Sequence, residues 1–204
     1  RNLLQLGFAP GRIETVLLTH FHSDHIDGLG ELAMQRWVGG GHTTPLPVLG
    51  PPGVDQVVAG FNTAYTADAR YRSAHHGPSV APVSGAGMTA LTFVMPTDER
   101  TTVVIDDRGL KVEAFAVDHM PVEPAVGYRV SFADRSLVVS GDTALLAAMP
   151  DLARGADVLI HEALAPNLVA RLGAAAEATG QTRIARITSD IVDYHASPRE
   201  AAEV

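Results

Sequence analysis

Short alternating runs and longer helix-spaced runs of apolar residues divide the chain into elements. Residues 14–19 (ETVLLT) read as a short strand, and Ile26, Leu29, Leu32, Ala33 and Trp37 lie at helical spacing over 26–37. The glycines at 39–41 stop that helix. Residues 46–49 read as a second strand, closed by Gly50-Pro51-Pro52-Gly53, and 54–71 as a helix with breaks. Residues 3–6 look like the end of a helix, and 73–89, rich in Gly, Pro, Ser and Ala, form the longest irregular stretch. From Leu91 the pattern turns to strands at 91–94, 101–105, 110–117, 126–132 and 136–139, with hairpin-like turns at 106–109 and 133–135. A helix (144–152), a strand (158–160), a helix (167–178) and a strand (184–188) follow. Ser197-Pro198-Arg199-Glu200 then announces a last helix, with a capping serine, proline at the first helical position and a capping-box glutamate.

Helices early and late around a β meander predict an α/β (α+β) architecture, sheets covered by helices, within one domain over 1–204. Composition narrows the class. At 46% apolar and 19% charged, the 204-residue chain is neither disordered nor fibrous. No run approaches the roughly 18 apolar residues of a membrane-crossing helix. Fifteen basic residues against 23 acidic ones leave a net charge of −8, with Lys111 the lone lysine, which argues against a broad nucleic-acid surface. Cysteine is absent, so disulfides, thiolate metal sites and a cysteine nucleophile are excluded. The chain opens at Arg1, and only four residues follow Glu200, so it reads as a segment cut at both ends. The compartment stays open.

The most informative stretch is His20-Phe21-His22-Ser23-Asp24-His25, directly after one strand and before a helix. Strand alternation sends His20 and His22 to one side, and the turn brings Asp24 and His25 to a neighbouring point. Three imidazoles and a carboxylate suit a borderline metal such as zinc. Two further strand ends carry donors: His119 follows the strand at 110–117, and Asp142 stands in Ser140-Gly141-Asp142-Thr143.

Taken together, His20-x-His22-x-Asp24-His25, a separate His119 and the Ser-Gly-Asp-Thr setting of Asp142 resemble the metallo-β-lactamase superfamily. Within it, the chain looks like the branch of ribonuclease Z and arylsulfatase-type hydrolases. Residues 45–53 (PLPVLGPPG) resemble the branch's strand-then-Gly-Pro segment. Residues 157–164 (DVLIHEAL) resemble its His-Glu-Ala-Thr loop, with Leu164 in place of threonine, and 194–198 (YHASP) its later histidine loop.

The resemblance implies a four-layer αβ/βα sandwich, without its early strands and final strand here, and a two-metal site. His20, His22 and His119 would hold one metal, Asp24 and His25 the second, with Asp142 bridging. The family's second site has one more histidine beyond the helix at Ser197. Zinc is the expected metal, with manganese or iron as alternatives. Two cations roughly 3.5–4 Å apart can share a water and lower its pKa. Asp24 could orient that attacking water, His195 would act as general acid, and Glu162 would fix its orientation. His42 reads as a solvated loop residue and His161 as structural at the end of a buried strand. His75-His76, with Tyr65, Arg70, Tyr71 and Arg72 just before, opens the irregular stretch and reads as surface or as a lid.

The ribonuclease branch carries a long arm between the counterparts of His119 and Asp142, which here are only 23 positions apart. With the negative charge, this argues against tRNA 3′ processing. The expectation is therefore a dinuclear hydrolase of small anionic esters, aryl sulfate or phosphodiester, aided by Arg129 or Arg135. Lactone or β-lactam hydrolysis and a non-catalytic metal-binding module are the alternatives. The expected partner is a small-molecule ester, with no nucleic acid and no membrane, a homodimer being left open.

Overall fold

The computed structural model describes residues 2–97 and 101–204. They form two compact units, Arg1–Val94 and Met95–Val204.

The first unit comprises α1 (Asn2–Gln5), β1 (Val16–Leu17), α2 (Ser23–Ile26), α3 (Leu29–Gly40), β2 (Leu46–Gly50), α4 (Val54–His76) and β3 (Met88–Thr92). Its strands form a parallel sheet in the order β1-β2-β3. The central strand β2 buries Leu46, Val48 and Leu49, as a strand covered on both faces must. Leu29 and Ala33 of α3 and Val54 and Val58 of α4, each pair four residues apart, pack on this sheet with Leu18 and Met88. Each such side chain contributes about 1.5–3 kcal/mol when fully buried. Trp37 is buried and its Nε1 donates to Pro82 O at 2.8 Å.

Three sequence expectations shift here. The helix read over 54–71 runs on to His76, so His75 and His76 occupy its last turn and not the irregular stretch. β3 starts at Met88, earlier than the apolar pattern of 91–94 suggests, because Leu46 of β2 pairs with Met88 and Asn62 of α4 clasps it. Asn62 Nδ2 donates to Met88 O and Met88 N donates to Asn62 Oδ1, both at 2.9 Å. His42 is half-buried, its Nε2 2.7 Å from Gly11 O, so it tethers its loop where a solvated residue was expected.

The second unit carries β4 (Thr101–Asp107), β5 (Leu110–Ala116), β6 (Val126–Phe132), β7 (Arg135–Val139), α5 (Met149–Leu152), β8 (Val158–Ile160), α6 (Pro166–Ala178), α7 (Thr182–Asp190) and α8 (Pro198–Ala201). The sheet order is β4-β5-β6-β7-β8, antiparallel up to β7, with β8 parallel to β7. Arg108 (φ 48°) and Gly109 (φ 83°) make the tight β4–β5 turn, where two successive positive φ values match the twist of a hairpin. Met149 of α5 packs on Phe115 of β5 and Val138 of β7, all three buried.

The predicted strands at 101–105, 110–117, 126–132 and 136–139 are present. The predicted strand at 184–188 is instead the middle of α7. Ile184 and Ile187 are three apart, a helical interval that a five-residue window cannot separate from a β run. An Arg186–Asp190 ion pair at 2.9 Å supports the helix, and Thr188 faces Gly173 of α6. The helix expected over 144–152 contracts to α5, because Ala144 N donates to Asp118 O at 2.6 Å and is held in a loop. The predicted cap of α8 is complete: Glu200 N donates to Ser197 Oγ, and Ser197 N to Glu200 Oε2. β8 is an edge strand of the described sheet with Val158 and Ile160 exposed, so His161 does not follow a buried strand. Among the described residues no helix is long and apolar enough to cross a membrane.

Candidate metal centre

Both units carry side chains of the types that can coordinate a metal ion. In the first, the chain leaves β1 through Leu18 and Thr19 and enters α2 at Ser23, with His22 at the helix cap. This strand-to-helix turn folds the motif's three imidazoles together. His20 is fully buried, its Nε2 3.2 Å from His22 Nδ1, and its ring centroid lies 4.2 Å from that of His25. Thr19 Oγ1 stands 3.1 Å from His20 Nδ1 and steadies the ring from the other side. Asp24 Oδ2 is 3.4 Å from His25 Nε2, and its side chain is 79% exposed. Imidazoles converging within one short turn are a nitrogen donor set suited to zinc.

In the second unit, His119 lies three residues beyond β5, and Asp142 follows β7 through Gly141. Gly141 has φ +65°, a left-handed conformation that a side chain would strain, and this turn swings Asp142 off the strand direction. One ligand atom each from His119, Asp142 and His195 lie within 4.8 Å of one another. His119 is 1% exposed, and its Nδ1 is 2.9 Å from Tyr194 O. A carbonyl can only accept, so Nδ1 carries the proton and Nε2 keeps its lone pair, the tautomer a metal ligand needs. These are His/Asp clusters positioned to coordinate divalent metal ions, and the donor chemistry fits zinc.

Glu162 sits behind His195. Its Oε1 is 2.9 Å from His195 Nδ1 and accepts the Thr143 amide at 2.9 Å and the Ala196 amide at 3.4 Å. Both side chains are largely buried, so this contact is little screened. His161 turns away from this group, its Nδ1 2.7 Å from Glu162 O.

The two arginines expected to attract an anionic substrate are otherwise engaged. Arg129 donates to Leu152 O, Arg154 O and Ser136 Oγ at 3.0–3.3 Å. Arg135 pairs with Asp157 at 2.9 Å. The Ser136 amide and Arg135 hold the Asp157 carboxyl below its ordinary range. Three participants escaped the sequence reading: Ser140, Thr143 and the carbonyl of Tyr194. The hydroxyls flank Asp142 in the motif and could have been suspected, whereas a backbone carbonyl leaves no residue-type signal.

Comparison with known proteins places this geometry. A family profile described as "Beta-lactamase superfamily domain" matches residues 6–204. Ribonuclease Z of Mycobacterium sp. (strain KMS) is 37% identical over 202 residues, covering 97% of this chain and 62% of that protein. Ribonuclease Z of Mycobacterium avium (strain 104) is 35% identical over 200 residues, covering 97% of this chain and 64% of its own length. The chain thus spans less than two thirds of these curated relatives. The crystal structure of human tRNase Z, short form, matches with a TM-score of 0.65 at 21% identity, covering 98% of this chain and 71% of that one, a likeness of fold.

These matches overturn the expectation of a small-molecule aryl sulfate or phosphodiester substrate, with nucleic acid excluded and tRNA processing argued against. The ribonuclease Z alignments run through the short His119–Asp142 interval, filled by β6 and β7, so the missing arm does not separate this chain from them. Net charge misled because it averages the whole chain, while phosphates are met by local patches. With its donor clusters, its sheets and its profile match over residues 6–204, the chain belongs to the metallo-β-lactamase superfamily, and its relationships there are of the ribonuclease Z kind.

Proposed function

We propose that this protein is a metal-dependent hydrolase of RNA phosphodiester bonds, of the ribonuclease Z type, acting on tRNA 3′ ends. The observation that carries this reading is the 37% identity to a ribonuclease Z along 202 residues. His20, His22, Asp24, His25, His119 and Asp142 are the residues that would hold divalent cations, zinc by donor type. When bound, such ions supply Lewis acidity toward the phosphoryl oxygens and a more acidic water.

The chain's own residues do the rest. Asp24, exposed beside His25, is available to orient the attacking water. His195 protonates the leaving ribose oxygen as general acid, with its Nδ1 engaged by Glu162 and Nε2 left for the transfer. The Glu162 carboxylate, 2.9 Å from Nδ1, fixes the ring plane.

RNA needs local positive charge, and α4 offers it. Arg70 is exposed and borders a groove of about 350 Å³ shared with Asn62, Tyr65, Thr66 and Ser73. Tyr71, 64% exposed, and the exposed rings of His75 and His76 share the same helix end, where Arg72 is paired with Asp68 at 2.8 Å. A cationic group such as Arg70 beside an open aromatic ring suits a single strand, whose phosphates take the charge and whose bases stack.

The test is cleavage of a precursor tRNA bearing a 3′ trailer by the zinc-loaded protein. Trimming at the 3′ side that stops on chelation supports the reading. A metal-replete protein that leaves this RNA intact overturns it.

A further inference from the structure

Asp142 is followed by a residue that no motif reading assigns a task. Thr143 is fully buried, and each of its polar groups reaches a different segment of the second unit. Its amide donates to Glu162 Oε1 at 2.9 Å. Its carbonyl accepts the Ala196 amide at 2.7 Å, next to His195. Its hydroxyl lies 3.3 Å from Asp118 O, beside His119, and 2.9 Å from Ala144 O. The donor-bearing segments at His119, Asp142 and His195 are thus joined through one side chain and its backbone. Ser140, also buried, accepts the Glu162 amide at 3.0 Å and donates its own amide to Ile160 O at 3.0 Å.

We infer that Thr143 is a positioning residue, whose hydroxyl holds the His119 segment in register with Asp142 and thereby sets donor spacing for a bound metal. Three donors on three loops have no common strand to keep them within 4.8 Å of one another, so their spacing is only as well defined as the bonds among the loops. The hydroxyl is the part of this junction that depends on residue type, because any residue but proline supplies the amide and carbonyl. Groups that orient metal ligands commonly change metal affinity tenfold to 100-fold when removed. The inference rests on the metal-binding reading proposed above.

Zinc affinity, measured by competition with a chromophoric chelator in the absence of substrate, tests it. Thr143→Val keeps the shape and deletes the hydroxyl, and its affinity falls about tenfold to 100-fold. Thr143→Ser keeps the hydroxyl and deletes the methyl, and it restores affinity to within about threefold of wild type, a fraction of that range. Wild-type affinity in Thr143→Val overturns the inference. So does an equal loss in Thr143→Ser, which would make the methyl packing the cause. Should Thr143→Val not fold, Thr143→Ala, which lacks both hydroxyl and methyl, is compared with Thr143→Ser, so that only the hydroxyl differs, and equal affinities in the two overturn the inference. A wild-type protein that binds no zinc fails the metal reading itself, and this inference with it.

Discussion

Glu162 directs one carboxylate oxygen at His195 Nδ1, 2.9 Å away, while that oxygen also accepts the Thr143 amide. The imidazole is therefore oriented by a group that is itself fixed from the opposite side. His195→Ala is expected to lower kcat on precursor tRNA by about 10²–10⁴-fold with zinc content unchanged, the usual range for a missing general acid. Glu162→Gln keeps an acceptor for Thr143 but loses the charge, and is expected to cost about tenfold to 100-fold. Elemental analysis beside steady-state kinetics decides the role. Zinc lost in step with kcat would make His195 a ligand, a role its place within 4.8 Å of His119 and Asp142 also permits.

Asp142 follows a glycine turn that no other residue type adopts without strain, so its backbone place survives truncation of the side chain. Asp142→Ala should therefore fold, lose most of its zinc and lose nearly all activity. Full zinc content by elemental analysis would remove Asp142 from the ligand set.

How much of this was legible in the sequence depended on how local each signal is. The motif from His20 to His25 spans six residues, so strand alternation and one turn predict its convergence, and the rings do converge. The cap at Ser197 and the β4–β5 turn are equally local and were equally visible. Thr188 illustrates the opposite case: Ile184 to Thr188 looks like a strand until Gly173 of α6 provides a helix-packing partner. Met88 joins β3 because of Asn62, 26 residues away, which no window covers. The substrate class was misjudged for a related reason: charge summed over the chain has no position, whereas phosphates are met by local groups.

Gly127 of β6 lies where a Cβ would stand 2.4 Å from the Phe115 ring and 2.7 Å from Ser140 O. Neither neighbour can yield easily, since Phe115 is buried under Met149. Gly127→Ala is expected to destabilise by about 1–3 kcal/mol, as overpacking does. At about 2–4 °C per kcal/mol for a chain of this size, calorimetry should resolve the lower melting temperature. An unchanged melting temperature would show that the sheet gives way there without cost.

The Asp157 carboxyl is held below its ordinary range, first by the Ser136 amide and then by Arg135. A depressed folded pKa contributes stability above the unfolded value, about 3.9 for Asp, and that stability is lost as pH falls through the folded value. The melting temperature of Asp157→Asn should therefore lie below wild type at pH 7, with the gap closing as the buffer drops below about pH 4. Because the pair is exposed, high salt should narrow the gap as well. A gap that stays constant from neutral to acid pH would assign the effect to side-chain shape and not charge.

Arg70 and Tyr71 give the RNA reading its sharpest test, because they stand on α4 and not among the proposed ligands. Each phosphate of a single strand neutralised by a cationic side chain adds about 0.7 to the steepness of log affinity against log salt. Arg70→Ala should therefore raise KM for precursor tRNA and flatten that salt dependence by about 0.7, with kcat and zinc content unchanged. Tyr71→Ala removes an exposed ring without removing charge. It should weaken binding by about 1–3 kcal/mol if a base stacks there, while leaving the salt slope as it was. The two variants thus separate charge from stacking on one helix end. Unaltered KM and salt slope in both would move the RNA-binding surface off α4 and leave its arginines as ordinary surface groups.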